Sequence, residues 1–166
     1  NRSNYVKLRL SRLYADNESV LCDYEEALEV LNGAFDTKGS VSLQQGNIYN
    51  NSNYAGYDKK TAYECYEKAA HNGNAYGMFQ KGSMLIDDRN TFYNLREGVK
   101  ELEKSIQLGK EPRYPGDTKQ PEFVAAHIKL AGLYLNKNYE VYNVELAEQH
   151  LKEALGDIQH RLQKKY

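Results

Sequence analysis

The chain has no tryptophan, only two cysteines and three prolines, and a net charge of −1 from 22 basic and 23 acidic side chains. Each shortage removes a class. Two cysteines cannot staple a disulfide-rich mini-fold. The balanced charge leaves no electrostatic footprint for nucleic acid, so no nucleic-acid partner is expected. No apolar run approaches the roughly 20 residues that a membrane helix needs, so no direct membrane insertion is expected. The prolines are Pro112, Pro115 and Pro121, which leaves the rest of the chain free of this helix breaker. The sequence opens on Asn1 with no signal-peptide pattern. It reads as part of a longer protein, and localisation stays open. What is present is an ordinary folded composition, 40% hydrophobic and 27% charged, with an unusual 15 tyrosines.

The sequence repeats itself. Val6-Lys7-Leu8-Arg9-Leu10-Ser11-Arg12-Leu13-Tyr14 aligns with Ala126-His127-Ile128-Lys129-Leu130-Ala131-Gly132-Leu133-Tyr134, and weaker copies begin at Val41 and Gly77. Call the first residue of each copy i. A second pattern follows, with a small residue at position j and further small or apolar residues at j+4, j+7 and j+8. It appears as Ala27, Leu31, Ala34, Phe35, then Ala62, Tyr66, Ala69, Ala70, then Gly98, Leu102, Ser105, Ile106, then Ala147, Leu151, Ala154, Leu155. The separation of i+8 from j is 13 residues in every copy: Tyr14 to Ala27, Tyr49 to Ala62, Leu85 to Gly98 and Tyr134 to Ala147. A repeat at this period predicts stacked helical units.

Each unit reads as two helices. Offsets of four and eight share one helical face, and the small residues let backbones approach. The turns within pairs are polar, as in Asp16-Asn17-Glu18-Ser19 and Asn136-Lys137-Asn138. Gly39, Gly73 and Gly109 are expected near helix ends, as C-terminal caps favour. The predicted pairs are 4–15 with 21–36, 39–50 with 58–72, 74–87 with 92–109, and 121–136 with 141–164. The repeats run about 4–37, 38–73, 74–109 and 121–158 in a single domain 1–166, with a Pro-rich inserted loop at 110–121.

Ala62-x-x-x-Tyr66-Glu67-Lys68-Ala69-Ala70-x-x-Gly73-Asn74 resembles the second-helix signature of the Sel-1-like repeats, longer-looped cousins of the tetratricopeptide repeats. The Leu-small-x-x-Tyr motif of the first helices is similar too, and the resemblance covers about residues 4 to 158. It implies an all-α, right-handed α-solenoid of about four antiparallel helix pairs. It also implies non-enzymatic adaptor or scaffold work on a protein or peptide partner, held in a concave groove lined by the first helices. Three features depart from the pattern. Lys81 and Leu85 stand where Leu and Tyr are usual, the Pro-rich insertion is atypical, and Cys22 and Cys65 are not at equivalent positions.

In the tetratricopeptide relatives, positions i−1, i+2, i+6 and i+9 of the first helix face the groove. Carried over, they give Tyr5, Leu8, Arg12, Leu43, Asn47, Asn50, Tyr76, Phe79, Ser83 and Ile128 as partner-binding residues. The i+2 set of Leu8, Leu43, Phe79 and Ile128 is apolar throughout. It serves either as an exposed docking stripe or as packing between repeats. Tyr54, Tyr57, Tyr139 and Tyr142 lie in turns, where they staple the turn to the helices or offer contact area. Leu151, Leu155, Ile158 and Leu162 continue an apolar face beyond the last repeat. They suggest docking to another domain or copy through the C-terminal helix, and hence the alternative role of a structural subunit assembled through its ends.

Enzyme chemistry has no foothold in the sequence. The histidines His71, His127, His150 and His160 fall in no metal-binding spacing, and neither a phosphate loop nor a nucleophile elbow is present. No catalytic residue, metal or cofactor is assigned. His127 at i+1 and His150 at j+3 could be neighbours in the fourth repeat, where with Glu148 and Glu153 a metal site is conceivable, although surface histidines are the ordinary explanation. Asn1, Asn17 and Asn50 each begin an N-x-S sequon.

Overall fold

The computed structural model describes residues 2–110 and 121–163. They form eight α-helices, with no strand among the described residues: α1 Arg2–Tyr14, α2 Tyr24–Leu31, α3 Ser40–Tyr49, α4 Lys59–His71, α5 Ala75–Leu85, α6 Leu95–Gly109, α7 Pro121–Leu135 and α8 Val144–Gln163. The eight predicted helices are all present. Most of the inserted loop, and with it Pro112 and Pro115, lies outside the described residues, as does the sequon at Asn1. The chain divides into two compact units, Asn1–Lys81 and Gly82–Tyr166.

One local device is built four times. The residue at i+10 (Asp16, Asn51, Asp87 or Asn136) accepts on its side-chain oxygen the amide of the residue two positions on, at 3.0 to 3.2 Å. This closes an Asx turn, which Asp and Asn favour. The residue at j−4 (Asp23, Asp58, Asn94 or Asn143) then caps the second helix. Its side chain accepts from Glu26, from Lys60 and Thr61, from Glu97 and from Leu146 respectively. The backbone amide of the same cap donates to the carbonyl of the i+8 residue: Asp23 to Tyr14 at 2.8 Å, Asp58 to Tyr49 at 3.0 Å, Asn94 to Leu85 and Asn143 to Tyr134 at 2.8 Å each. The end of each first helix is thereby clipped to the start of the second. The constant 13-residue spacing has its cause here, because a turn of any other length would break the clip.

In unit 1, Ala27 and Leu31 of α2 form a buried cluster with Val41 and Ile48 of α3 and with Tyr54. The small positions do what their size allows. Ala69 is fully buried, and a methyl group placed on Gly77 would lie 2.6 Å from the Ala69 Cβ. Gly39 (φ +68) precedes α3, and a Cβ there would sit 2.6 Å from the Ala69 carbonyl oxygen, so only glycine fits. Of the other expected caps, Gly73 has φ +76 just after α4, whereas Gly109 is the last residue of α6 itself. In unit 2, Leu102 and Ile106 of α6, Phe123, Ala126 and Leu130 of α7, and Ala147 and Ala154 of α8 are buried.

One boundary differs from expectation. The second helix of repeat one stops at Leu31 rather than near 36. Asn32-Gly33 ends it, with Gly33 at φ +67. The segment beyond is held by other bonds: Asn4 brackets the Phe35 backbone with two hydrogen bonds of 2.7 and 3.0 Å. Asp36 accepts from the amides of Val41 and Ser42 at the start of α3. Ala34 and Phe35 therefore do not complete the helical j+7, j+8 pattern, and Phe35 stands exposed.

The clip predicts a measurable cost. Asn94→Ala removes the side-chain acceptor at the start of α6 and is expected to lower stability by about 1 kcal/mol. Chemical denaturation beside wild type checks it; an unchanged midpoint would remove the cap from the account.

Candidate functional site

The sequence-derived groove residues do not form one open stripe. Leu43 and Phe79 are buried and Leu8 is half-buried against the α2–α3 cluster, whereas Ile128 is half exposed. Of the two readings open for the i+2 set, Phe79 takes the packing one, against its place among the partner-binding residues: it sits in the interior with Tyr76 stacked on it, ring centroids 5.9 Å apart and planes 14° from parallel. Around these residues, Tyr5, Arg12 and Asn50 are exposed, and Tyr76 and Ser83 are half-buried. Asn47 is occupied internally, accepting from the Tyr66 hydroxyl at 3.1 Å.

Of the four turn tyrosines, Tyr54 acts as a staple. Tyr54 is buried, donates to Glu25 at 2.8 Å, and lies 5.3 Å from the Tyr24 ring. Burial, then the adjacent Glu25 carboxylate, pushes its hydroxyl up to about 12. Asn51 donates to the Tyr24 hydroxyl at 3.1 Å, which ties the turn of repeat two to that of repeat one. Tyr57 and Tyr142 remain exposed, and Tyr139 is half-buried.

The apolar surface that does stand open lies on the outer helices. Leu151 and Leu155 of α8 are 45% and 54% exposed, and Ile158 and Leu162 extend the face. Most of their repeat equivalents are buried: Leu31, Tyr66 and Leu102 match Leu151, and Ala70 and Ile106 match Leu155, whereas Phe35, the j+8 residue of repeat one, is exposed. On α1, Val6, Leu10 and Leu13 are open in the same way. Sequence periodicity marked the α8 face. The α1 face carries no comparable signal in the sequence.

A groove of about 720 Å³ opens in unit 2, lined by Lys100, Glu103, Lys104, Ile106, Gln107 and Lys110 of the α6 segment and by Gln149, His150, Lys152 and Glu153 of α8. His127 of α7 also lines it, and His127 and His150 face each other through their Nδ1 atoms at 2.8 Å. One ring donates and the other accepts. Phe123 meets His127 edge-on at 4.5 Å, and Tyr134 stacks on His150 at 5.5 Å and donates to Glu103 at 3.4 Å. Glu148, the third conceivable metal ligand, pairs with Lys152 at 3.1 Å. No group of three or more metal-ligating side chains occurs among the described residues. Both cysteines are free thiols; burial pushes the Cys65 thiol up.

No protein-family profile matches the chain, and no curated protein does. A solved structure does match: the crystal structure of a Sel1 repeat protein from Oxalobacter formigenes, at 15% identity and a TM-score of 0.69 over 93% of this chain. The fold is that of a Sel1 repeat protein. The present chain spans 58% of the length of that relative. The all-α helix-pair architecture implied by Ala62 to Asn74 is thus reproduced by structure at an identity where sequence carries little signal.

Two outcomes follow. Phe79→Ala deletes a buried ring and is expected to cost about 3–5 kcal/mol of stability. A thermal melt within a degree or two of wild type would return Phe79 to the surface. Burial holds the His150 imidazole below its usual pKa, while Glu103 and Glu153 pull in the opposite direction. A depressed folded pKa means that the unfolded chain binds the proton more readily. Stability from this group is therefore complete above the ordinary histidine range and is lost as pH falls through about 6.5 and below. Melting temperatures between pH 7.5 and 5.5 should fall less steeply for His150→Gln than for wild type; parallel curves would refute the assignment.

Proposed function

We propose that the chain is a non-enzymatic interaction scaffold, a single array of four Sel1-type repeats that holds a protein partner on exposed apolar helix faces, chiefly that of α8. One observation supports this above the others: Leu151 and Leu155 are open where the equivalent residues of the two preceding repeats are buried. An apolar helix face of this kind marks a surface for another protein rather than for solvent. Sel1-type architecture agrees with such a role, since stacked helix pairs offer long surfaces to partners. No described helix is long and apolar enough to cross a membrane, and the face is interrupted by charged residues such as Lys152 and Glu153, which suits a protein surface.

A second reading keeps the concave face. Ile128 and Leu135 stand exposed on one side of α7, with the exposed Gly132 between them, a short apolar strip at the offsets that line the groove in tetratricopeptide relatives. Tyr5, Arg12 and Asn50 would be the polar and aromatic contributors from other repeats.

Site-specific photo-crosslinking separates the two. A photoreactive residue at Leu155 should give discrete protein adducts in lysate of the source cell, and one at Ile128 should give few. Adducts at Ile128 alone would move the site to the concave face. None at either position would overturn the scaffold reading.

A further inference from the structure

The dipeptide Asn-Gly occurs twice, as Asn32-Gly33 after α2 and as Asn72-Gly73 after α4. An asparagine in this pair can lose its side-chain amide, because a glycine nitrogen has no Cβ beside it to hinder its attack. Both copies end a helix in a similar way. Gly33 and Gly73 have φ of +67 and +76, and all four residues are exposed. A Cβ placed on either glycine would meet nothing within 4 Å. In both, the amide after the glycine bonds back to the helix, Ala34 to Leu31 and Asn74 to Ala69, at 3.0 Å each. Dipeptide, exposure and glycine conformation therefore do not distinguish the two sites.

Three contacts do. The Gly73 amide donates to the Ala70 carbonyl at 3.0 Å, whereas the Gly33 amide makes no hydrogen bond among the described residues. The Asn72 side-chain amide donates to the Asp36 carboxylate at 3.3 Å, whereas the Asn32 side chain makes no hydrogen bond among the described residues. Ring closure moves the glycine nitrogen and the asparagine side chain together, so bonds made by either must break first. The third contact is on the other site. The Lys7 ammonium donates to the Asn32 carbonyl oxygen at 2.7 Å. That oxygen belongs to the same peptide group as the Gly33 nitrogen. When the nitrogen loses its proton, the negative charge is shared with this oxygen, and an ammonium against it favours the charged form. At Asn72 the charge beside the side chain is the Asp36 carboxylate, which acts in the opposite direction.

We propose that Asn32 is a site of spontaneous deamidation assisted by Lys7, and that the hydrogen bonds at Asn72-Gly73 hold Asn72 out of the same reaction. The Gly33 nitrogen gives its proton to solvent base and attacks the Asn32 Cγ. The new N–Cγ bond closes a succinimide ring, the Cγ–Nδ2 bond breaks, and the amide nitrogen leaves as ammonia after taking a proton from water. Water then opens the ring at either carbonyl and yields aspartate or isoaspartate. Both products place a negative charge at the C-terminal end of α2, whose last turn has no basic residue, so the charge opposes the helix dipole. Isoaspartate also lengthens the main chain between α2 and the Phe35 segment that Asn4 brackets.

The two sites can be compared in one sample. The folded chain is held at mildly alkaline pH and digested, and mass spectrometry follows the replacement of NH2 by OH at each asparagine. Loss of the two hydrogen bonds at Asn72-Gly73 is a barrier that Asn32 does not face, so Asn32 should convert about tenfold faster or more. In concentrated urea the two rates should converge. Lys7→Met should slow conversion at Asn32 several-fold, and Lys7→Arg should restore most of it. The Asn72 rate, unchanged in both variants, reports that the fold is intact. Equal rates at the two asparagines of the folded chain, or faster loss at Asn72, would overturn the proposal. An Asn32 rate that ignores Lys7→Met would overturn the part assigned to Lys7.

Discussion

The hydrogen bond from the cap residue of each second helix to the carbonyl eight residues into the repeat motif is the constraint on which the structure depends. It is made in all four repeats, always by Asp or Asn and always to the last turn of the first helix. It joins two termini that would otherwise leave amides and carbonyls unsatisfied. The Asx turn at Asp16, Asn51, Asp87 or Asn136 sets the chain direction between them. With turn length fixed, the apolar faces of the two helices meet in one register, and the small residues Ala27, Ala62, Gly98 and Ala147 are held where the helices come closest.

Repeat packing then accounts for where apolar surface is hidden and where it is not. A residue at a given offset is covered only if the repeat beside it supplies the partner helix. Chemically similar residues consequently differ in exposure by position in the series: Leu31 and Leu102 are buried, Leu151 is open. The i+2 set is split as well: Leu43 and Phe79 are interior and Ile128 is not.

The histidine cluster is of another kind. His127 and His150 contact each other through Nδ1, flanked by Phe123, Tyr134 and Glu103, and both line the unit 2 groove. Burial holds the His150 imidazole below its usual pKa, so the packing of α7 on α8 loses stability as pH falls.

The sequence by itself determined the helical repeat: its four copies, its 13-residue internal spacing and the eight helices all follow from periodicity and from residue size. It also held the caps at Asp23, Asp58, Asn94 and Asn143, visible as Asp or Asn at one offset in every copy, because capping depends on local backbone geometry. The early end of α2 was less legible, since Asn4 and Asp36 hold the segment after Leu31 by bonds across the repeat. Burial of Phe79 and exposure of Leu155 could not be read from residue type, because both are large and apolar at regular helical offsets. Only the tertiary structure decided between them, since exposure depends on whether another helix lies over the face, and that is a property of neighbours distant in sequence.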